Sequence, residues 1–122
     1  MPHILIVDDH KEARDNLRAL FKTQQPYWEL SEAESGKQAL EMFRKAQFEV
    51  VILDIVMEEM SGIEAAYETQ KIAPDTKIVI ISSRYTARDA SVVARLLGVN
   101  GFVDKAQAAE TLIPEIKRLL AV

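Results

Sequence analysis

Short apolar runs alternate with stretches of helical spacing along the whole 122-residue chain, and this alternation limits the possible folds more than any other feature. Four of the runs are rich in β-branched residues and lie at 3–7, 49–53, 77–81 and 101–103. A weaker run at 27–31 alternates apolar with polar residues, as an edge strand does. Strict alternation of five such strands with helices predicts the α/β class, a doubly wound five-stranded parallel sheet with helices on both faces.

The stretches between the runs each place apolar residues on one helical face. The side chains on these predicted faces are Ala13, Leu17, Leu20 and Phe21, then Ala39, Leu40 and Phe43, then Ile63, Ala66 and Tyr67, and then Val92, Val93, Leu96 and Leu97. Ser35 with Gln38, and Ser61 with Glu64, fit the capping-box pattern of helix starts. Pro114 lies within the last predicted helix, where it removes a hydrogen bond and clashes with the preceding turn. We therefore expect that helix to start late or to bend near its first turn.

Composition argues against several classes of protein. The chain has no cysteine, which rules out a disulfide framework and a thiolate metal site. Its 15 basic and 19 acidic residues give a net charge of −4, which argues against direct nucleic acid binding by this chain. The N-terminal apolar segment is too short for a signal sequence, and no run approaches the roughly 18 residues that span a bilayer. We therefore expect a single cytoplasmic domain over residues 1–122, with no membrane partner.

Charged and hydroxyl-bearing residues follow the predicted strands at the same end of each. They are Asp8 and Asp9 after the run at 3–7, Asp54 after 49–53, Ser82 and Ser83 after 77–81, and Lys105 after 101–103. Because the carboxyl ends of parallel strands meet at one edge of a sheet, these side chains are expected to converge there. Two carboxylates 4 Å apart repel by about 4 kcal/mol at an effective dielectric constant near 20, and one lysine does not compensate three of them. A hard divalent cation with oxygen ligands, such as Mg²⁺, is therefore predicted.

Each of these residues also has a simpler explanation. Asp8 or Asp9 could cap the following helix, Asp54 could be a turn residue, and the two serines could be loop hydroxyls. Lys105 alone could be a surface lysine, and His10 alone is not a metal-site signal. The shared position at the ends of successive strands instead favours a site in which a carboxylate attacks phosphorus. In that site Asp54 is the predicted nucleophile and the other acids hold the metal.

Four segments together resemble the receiver domains of two-component response regulators: IVDDH (6–10), VVILDIVMEEMSG (50–62), IVIISS (78–83) and GFVDK (101–105). The resemblance covers essentially the whole chain. The opening DDHKEARDNLRALF is most similar to receivers of the LuxR/FixJ kind, which precede helix-turn-helix output domains. The resemblance implies a flavodoxin-like (β/α)5 fold with strand order 2-1-3-4-5, a phosphoacceptor function in signalling, Mg²⁺ as cofactor and a sensor histidine kinase as partner. It implies no enzymatic activity beyond the chain's own phosphorylation and autodephosphorylation.

Carried over position by position, the resemblance implies that Asp54 accepts the phosphoryl group from the phosphohistidine of the kinase. Asp9, Asp54 and the backbone carbonyl of Val56 correspond to the direct magnesium ligands. Asp8 corresponds to an acid that acts on the metal through water, and Lys105 to the lysine that pairs with the phosphate.

The resemblance also implies a switch. Ser82 corresponds to the hydroxyl drawn toward the phosphoryl group, with Ser83 beside it among the phosphate-binding residues. Phe102 corresponds to the aromatic residue whose rotamer follows that hydroxyl, and the side chains at Val56 and Arg84 to positions that tune autodephosphorylation. Phosphorylation would then repack the face formed by the fourth helix, the fifth strand and the last helix. That face would control an output domain in transcription regulation, another partner or a homodimer.

Two residues depart from the family pattern. Glu58 stands where the family often has proline, which makes the loop after Asp54 more acidic. Ala106 stands where most members have a proline that follows the lysine through a cis peptide bond. Since a cis bond before a residue other than proline costs roughly 3 kcal/mol, we expect the bond between Lys105 and Ala106 to be trans.

Three other functions are possible alternatives. A magnesium-dependent phosphotransferase with an aspartate nucleophile would need a second aspartate where Val56 stands. An FMN-binding electron carrier would need a glycine- and hydroxyl-rich loop where VDDHKEAR stands. A degenerate receiver that acts only as a protein-interaction module is favoured by Glu58 and Ala106, but not by the complete set of charged site residues.

Overall fold

The structure, a computed structural model, describes residues 1–57, 60–83 and 98–121. Its strands are β1 (His3–Val7), β2 (Glu29–Ala33), β3 (Val50–Asp54), β4 (Lys77–Ser82) and β5 (Gly101–Asp104). They form one parallel sheet in the order β2-β1-β3-β4-β5, which confirms the predicted fold class and strand order.

Four α-helices lie in the described part of the chain. They are α1 (Lys11–Gln24), α2 (Gly36–Lys45), α3 (Gly62–Ile72) and the C-terminal helix (Ala108–Leu120), which follows a 3₁₀ turn at Lys105–Gln107. The predicted fourth helix with Val92, Val93, Leu96 and Leu97 lies outside the described residues, as do Glu58 and Arg84. Within the described ranges, none of the helices combines the length and the apolar character that crossing a bilayer requires.

The two faces of the sheet build two apolar clusters, and β3 contributes to both. Val51 and Leu53 pack on the side of α2 and α3. Val50 and Ile52 pack on the side of α1 and the C-terminal helix. Because successive strand residues point to opposite faces, both faces of β3 must be apolar, and its first four residues are completely buried. The strand is therefore a fixed support for Asp54, its last residue.

Serine side chains start α2 and α3, as the capping patterns predict. The Ser35 hydroxyl accepts a hydrogen bond from the backbone N–H of Gln38 at 3.1 Å, and the Gln38 side chain in turn accepts one from the backbone N–H of Glu34 at 2.7 Å. The Ser61 hydroxyl accepts one from the backbone N–H of Glu64 at 3.2 Å. These bonds satisfy N–H groups that the first turn of a helix leaves without partners.

Two local predictions were wrong. Tyr67 was assigned to the buried face of α3, but it is 51% exposed, and the buried positions are Gly62, Ala65, Ala66 and Thr69. Small side chains on this face let α3 lie close to the sheet, and the Tyr67 ring instead lies beneath the ammonium of Lys71, 4.2 Å from the ring centre.

The second concerns the C-terminal helix, for which a late start was one of the two expectations: the helix starts at Ala108, six residues before Pro114, and therefore not late. Its buried face, which includes Leu112 and Ile116, packs in the cluster with α1. Pro114 lies on the exposed side of the helix, where water can bond the carbonyl that the missing N–H leaves free. Burial of the apolar face outweighs the cost of the proline.

Candidate functional site

The site lies at the carboxyl edge of the sheet, where three described strands deliver charged residues. Asp8 and Asp9 directly follow β1, and Asp54 ends the neighbouring strand β3, one residue beyond the pairing of Val7 with Leu53. Lys105 directly follows β5. The backbone N–H of Asp8 donates to the carbonyl of Ala33 in β2 at 3.2 Å, which keeps the first acid aligned with the sheet.

Lys105 joins two buried acids. Its ammonium nitrogen Nζ lies 2.9 Å from Oδ2 of Asp54 and 3.4 Å from Oδ2 of Asp8. Both carboxylates are buried, whereas the lysine side chain is 30% exposed and reaches them from the surface. The predicted convergence of Asp8, Asp54 and Lys105 at one edge is therefore confirmed.

The two oxygens of the Asp54 carboxylate have different partners. The backbone N–H of Val56 donates to Oδ1 at 3.2 Å, and the Lys105 ammonium donates to Oδ2 at 2.9 Å. These two bonds fix the plane of the carboxylate at the edge of the sheet. The Val56 side chain is itself exposed beside it.

A glycine holds the chain that surrounds Asp54. The backbone N–H of Gly62, at the start of α3, donates to the carbonyl of Ile55 at 3.0 Å. A Cβ at Gly62 would overlap the carbonyl oxygen of Asp54 and would lie 2.7 Å from Cα of Ile55. Only glycine permits this approach of helix to strand end, so Gly62 belongs to the framework of the site.

Burial and charge act in opposite directions on the ionisable groups. Burial raises the pKa of Asp54 above its ordinary value, and the charge of Asp8 adds to the rise, while the hydrogen bond from Lys105 opposes it. Burial acts to lower the pKa of Lys105, but the hydrogen bond to Asp54 and the charges of Asp54 and Asp8 outweigh it, so the pKa is raised. The lysine stays protonated, while the negative charge of Asp54 is unfavourable in its buried position.

His10 belongs to the same group of side chains, although a lone histidine did not predict a place in the site. Its Nδ1 lies 2.9 Å from Oδ1 of Asp9 and 3.4 Å from Oδ1 of Asp8, and its side chain is 73% exposed. Its backbone N–H donates to Oδ1 of Asp8 at 2.9 Å. The signal in the sequence was its position directly after the acid pair, at the start of α1.

The donor set fits a hard divalent cation. One ligand atom each from Asp8, Asp9, His10 and Asp54 can be chosen so that all lie within 4.8 Å of one another. At that separation two carboxylates repel by about 3.5 kcal/mol at an effective dielectric constant near 20, and the described lysine supplies one positive charge for three acids. Carboxylate oxygens grouped in this way are the ligands that Mg²⁺ prefers.

The remaining predicted residues lie on β4 and β5. Ser82 is the buried last residue of β4, one position beyond the residue that pairs with Asp54, and Ser83 after it is exposed. Phe102 in β5 is half-buried and packs against the cluster on the side of α2 and α3.

Ala106 is bonded through its backbone. None of the described peptide bonds is cis, as predicted for the bond between Lys105 and Ala106. The Ala106 N–H donates to Oδ1 of Asp104 at 2.9 Å, a bond that proline could not make. The turn that carries Lys105 is thus closed by a side-chain cap.

Comparisons with known proteins agree with this arrangement. A family model described as the response regulator receiver domain matches residues 4–117. The transcriptional regulatory protein YdfI of Bacillus subtilis is 34% identical over 112 residues, which are 92% of this chain and 52% of that protein. This chain thus spans about half the length of the curated relatives it matches.

Solved structures show the same fold. The response regulator TrrA of Thermotoga maritima, in a complex with Mg²⁺ and BeF, has a TM-score of 0.83 and 31% identity, with 98% of this chain and 99% of that chain covered. A LuxR-family response regulator from Aurantimonas has a TM-score of 0.89 over 99% of this chain and 86% of that chain. Its 24% identity supports the fold alone.

Proposed function

This chain belongs to the response regulator receiver domain family, and we propose that it is a phosphoacceptor switch in two-component signalling in which Asp54 takes a phosphoryl group from the phosphohistidine of a sensor histidine kinase. The observation that carries the proposal is the constellation around Asp54. The carboxylate is buried at the end of a rigid strand, its two oxygens are oriented by Val56 and Lys105, and two further acids lie beside it.

In the proposed reaction an oxygen of Asp54 forms a bond to phosphorus, and the bond between phosphorus and the histidine nitrogen of the kinase breaks. The electron pair of that bond stays on the histidine nitrogen, so a phosphohistidine that is protonated on its other ring nitrogen leaves as neutral imidazole. Lys105 favours the ionised form of Asp54 before the transfer, and its ammonium can then pair with a phosphoryl oxygen. The product is an acyl phosphate on Asp54.

We propose that Asp9, Asp54 and the backbone carbonyl of Val56 hold Mg²⁺ directly, with Asp8 acting through water. When bound, the ion would neutralise negative charge on the acids and on the phosphoryl oxygens. The support for this assignment is the grouping of carboxylates whose repulsion a single lysine does not compensate.

The proposed switch uses Ser82, Ser83 and Phe102. Ser82 at the end of β4 would donate its hydroxyl to the phosphoryl group, with Ser83 contributing beside it, and Phe102 would turn inward into the space released. Moving a two-state equilibrium from 1:99 to 99:1 takes about 5.5 kcal/mol of differential stabilisation. A new dianionic group with one ion pair and one hydrogen bond can supply a large part of that.

This chain covers only 52% of the transcriptional regulatory protein YdfI, which is therefore about twice as long. We therefore propose that the chain is a receiver domain of a cytoplasmic regulator. Its phosphorylation would change the face built from the predicted fourth helix, β5 and the C-terminal helix, and so control an output domain or a homodimer.

The test is the intact mass of the purified protein after incubation with phosphoramidate and magnesium. The wild type should gain about 80 Da, the mass of one phosphoryl group. Asp54→Asn should gain none, because the amide is not a nucleophile toward phosphorus. The control Asp75→Asn changes an exposed aspartate before β4, at the opposite end of the sheet, and should label like the wild type.

An unlabelled wild type would indicate an interaction module instead of a phosphoacceptor. Labelling retained in Asp54→Asn would move the nucleophile to another residue.

A further inference from the structure

The side chain of Arg14 in α1 contacts the backbone of the acid pair Asp8 and Asp9. Its side chain is only 12% exposed, and its Nη1 donates to the carbonyl oxygen of Asp8 at 2.6 Å. Its Nε donates to Oε1 of Glu32 in β2 at 3.0 Å. A nearly buried guanidinium with two acceptors on two different segments is held in one orientation, because its donors form a rigid planar fork.

Glu32 is shared with a second arginine one turn further along α1. Nε of Arg18 donates to Oε2 of Glu32 at 2.8 Å, while Arg14 occupies Oε1. Among the described contacts, Arg14 alone of the two reaches Asp8. Both arginines therefore attach α1 to β2, whereas Arg14 also contacts the site.

The carbonyl that Arg14 contacts belongs to the peptide group linking Asp8 to Asp9. Because a peptide group is planar, fixing its oxygen fixes the orientation of both flanking residues. The other groups of Asp8 are held as well, since its N–H bonds Ala33, Oδ1 accepts from His10 and Oδ2 pairs with Lys105. The bond from Arg14 is charge-assisted, a class of hydrogen bond roughly twice as strong as a neutral one.

We propose that Arg14 is a positioning residue for the metal ligands: it sets the plane of the peptide between Asp8 and Asp9 and so directs both carboxylates toward Asp54. The inference rests on the proposed function, in which those acids hold Mg²⁺. Groups that orient metal ligands from outside typically change metal affinity 10- to 100-fold when they are removed.

The test is a calorimetric titration of Mg²⁺ into the wild type, Arg14→Met and Arg18→Met, at a temperature where all three are folded. Methionine keeps the apolar stem and removes every donor. Arg14→Met should bind Mg²⁺ about 10-fold or more weakly. Arg18→Met loses its bond to Glu32 but none to Asp8, and should stay within about twofold of the wild type. If both variants lost Mg²⁺ affinity equally, Arg14 would only attach α1 to β2, and the proposal would be overturned.

Arg14→Lys separates orientation from charge. Lysine keeps the positive charge near the acids but cannot bond Asp8 and Glu32 with one rigid group. Its Mg²⁺ affinity should remain several-fold below that of the wild type. Full recovery with lysine would show that charge alone matters and would refute positioning.

The wild-type titration tests the metal site separately from the role of Arg14. A wild type that binds no Mg²⁺ would overturn the metal site and the role of Arg14 together. A wild type that binds Mg²⁺ with an affinity unchanged in Arg14→Met would overturn the role of Arg14 alone.

Discussion

Replacing Asp54 with asparagine should stabilise the magnesium-free protein, although it removes the proposed reactive group. The substitution keeps the shape of the side chain and an oxygen that can accept a hydrogen bond, and it removes one buried negative charge. The sign of the effect depends on whether repulsion from Asp8 and Asp9 exceeds attraction to Lys105.

The distances allow an estimate. The Asp8 and Asp9 oxygens lie within 4.8 Å of an Asp54 oxygen, and each repels it by at least about 3.5 kcal/mol at an effective dielectric constant near 20. The ammonium of Lys105 at 2.9 Å attracts it by about 6 kcal/mol on the same scale, a value that solvent reduces because the lysine is 30% exposed. Burial of the Asp54 carboxylate adds a further unfavourable contribution to the repulsion from the two acids. Without magnesium, Asp54→Asn should therefore be about 1 to 2 kcal/mol more stable than the wild type.

Urea unfolding in EDTA measures the difference in the free energy of unfolding between Asp54→Asn and the wild type. Thermal unfolding gives a second measure, since 1 kcal/mol corresponds to a melting-temperature shift of about 4 °C for a chain of this size. Because the pKa of Asp54 is raised in the folded state, the stability that its carboxyl contributes is fully present only below the pKa that it has in the unfolded chain. This contribution is lost as the pH rises through the folded-state pKa. The advantage of Asp54→Asn should therefore be small below the ordinary aspartate value of 3.8 and larger at neutral pH.

Addition of Mg²⁺ should reverse the order. A ligand at a hundred times its dissociation constant stabilises the protein that binds it by about 2.7 kcal/mol, which exceeds the advantage of the variant, and Asp54→Asn should lose most of that gain. A variant that is less stable than the wild type in EDTA at neutral pH would refute the estimate. It would mean that the lysine, not a cation, compensates the acids.

Two further substitutions test the framework of the site. Lys105→Met removes the ammonium between Asp54 and Asp8 and should destabilise the magnesium-free protein by about 2 kcal/mol. Mg²⁺ should recover part of this loss of stability. Unchanged urea unfolding in EDTA would contradict the prediction. Gly62→Ala places a methyl group against the backbone of Asp54 and Ile55 and should cost about 1 to 3 kcal/mol in thermal unfolding. Its control, Gly36→Ala, meets the flexible side chain of Met60 and should cost clearly less, so equal losses would refute the steric explanation.

The fold was predictable because the sheet is buried on both faces, so its strands are visible as apolar runs. The run at 3–7 matches β1 residue for residue. The edge strand was less well predicted: β2 starts at Glu29, two residues after the weak run at 27–31 begins, and Tyr27 is 77% exposed. Its bounds follow from pairing with β1, where Glu29 lies opposite His3, and a local pattern does not contain that information.

The charged residues of the site were predictable for a related reason, since strand ends in a parallel sheet share one edge. The surrounding contacts were not. Arg14 meets Glu32 across 18 residues of sequence, and the fit depends on how α1 lies against β2. Gly62 was visible as the residue after a capping serine and as the end of the segment at 50–62, but neither pattern indicated its role. Its contact with the backbone of Asp54 depends on the approach of α3 to the end of β3, which packing determines.

Reduction of the phosphorylated protein with borohydride tests the central claim most directly, because it converts an aspartyl phosphate to homoserine and marks the residue that carried the phosphoryl group. Peptide mass spectrometry after treatment with phosphoramidate and magnesium should find homoserine at position 54 and aspartate at positions 8 and 9. Homoserine at position 8 or 9, or a phosphate on Ser82 or Ser83 that survives the reduction, would contradict the account.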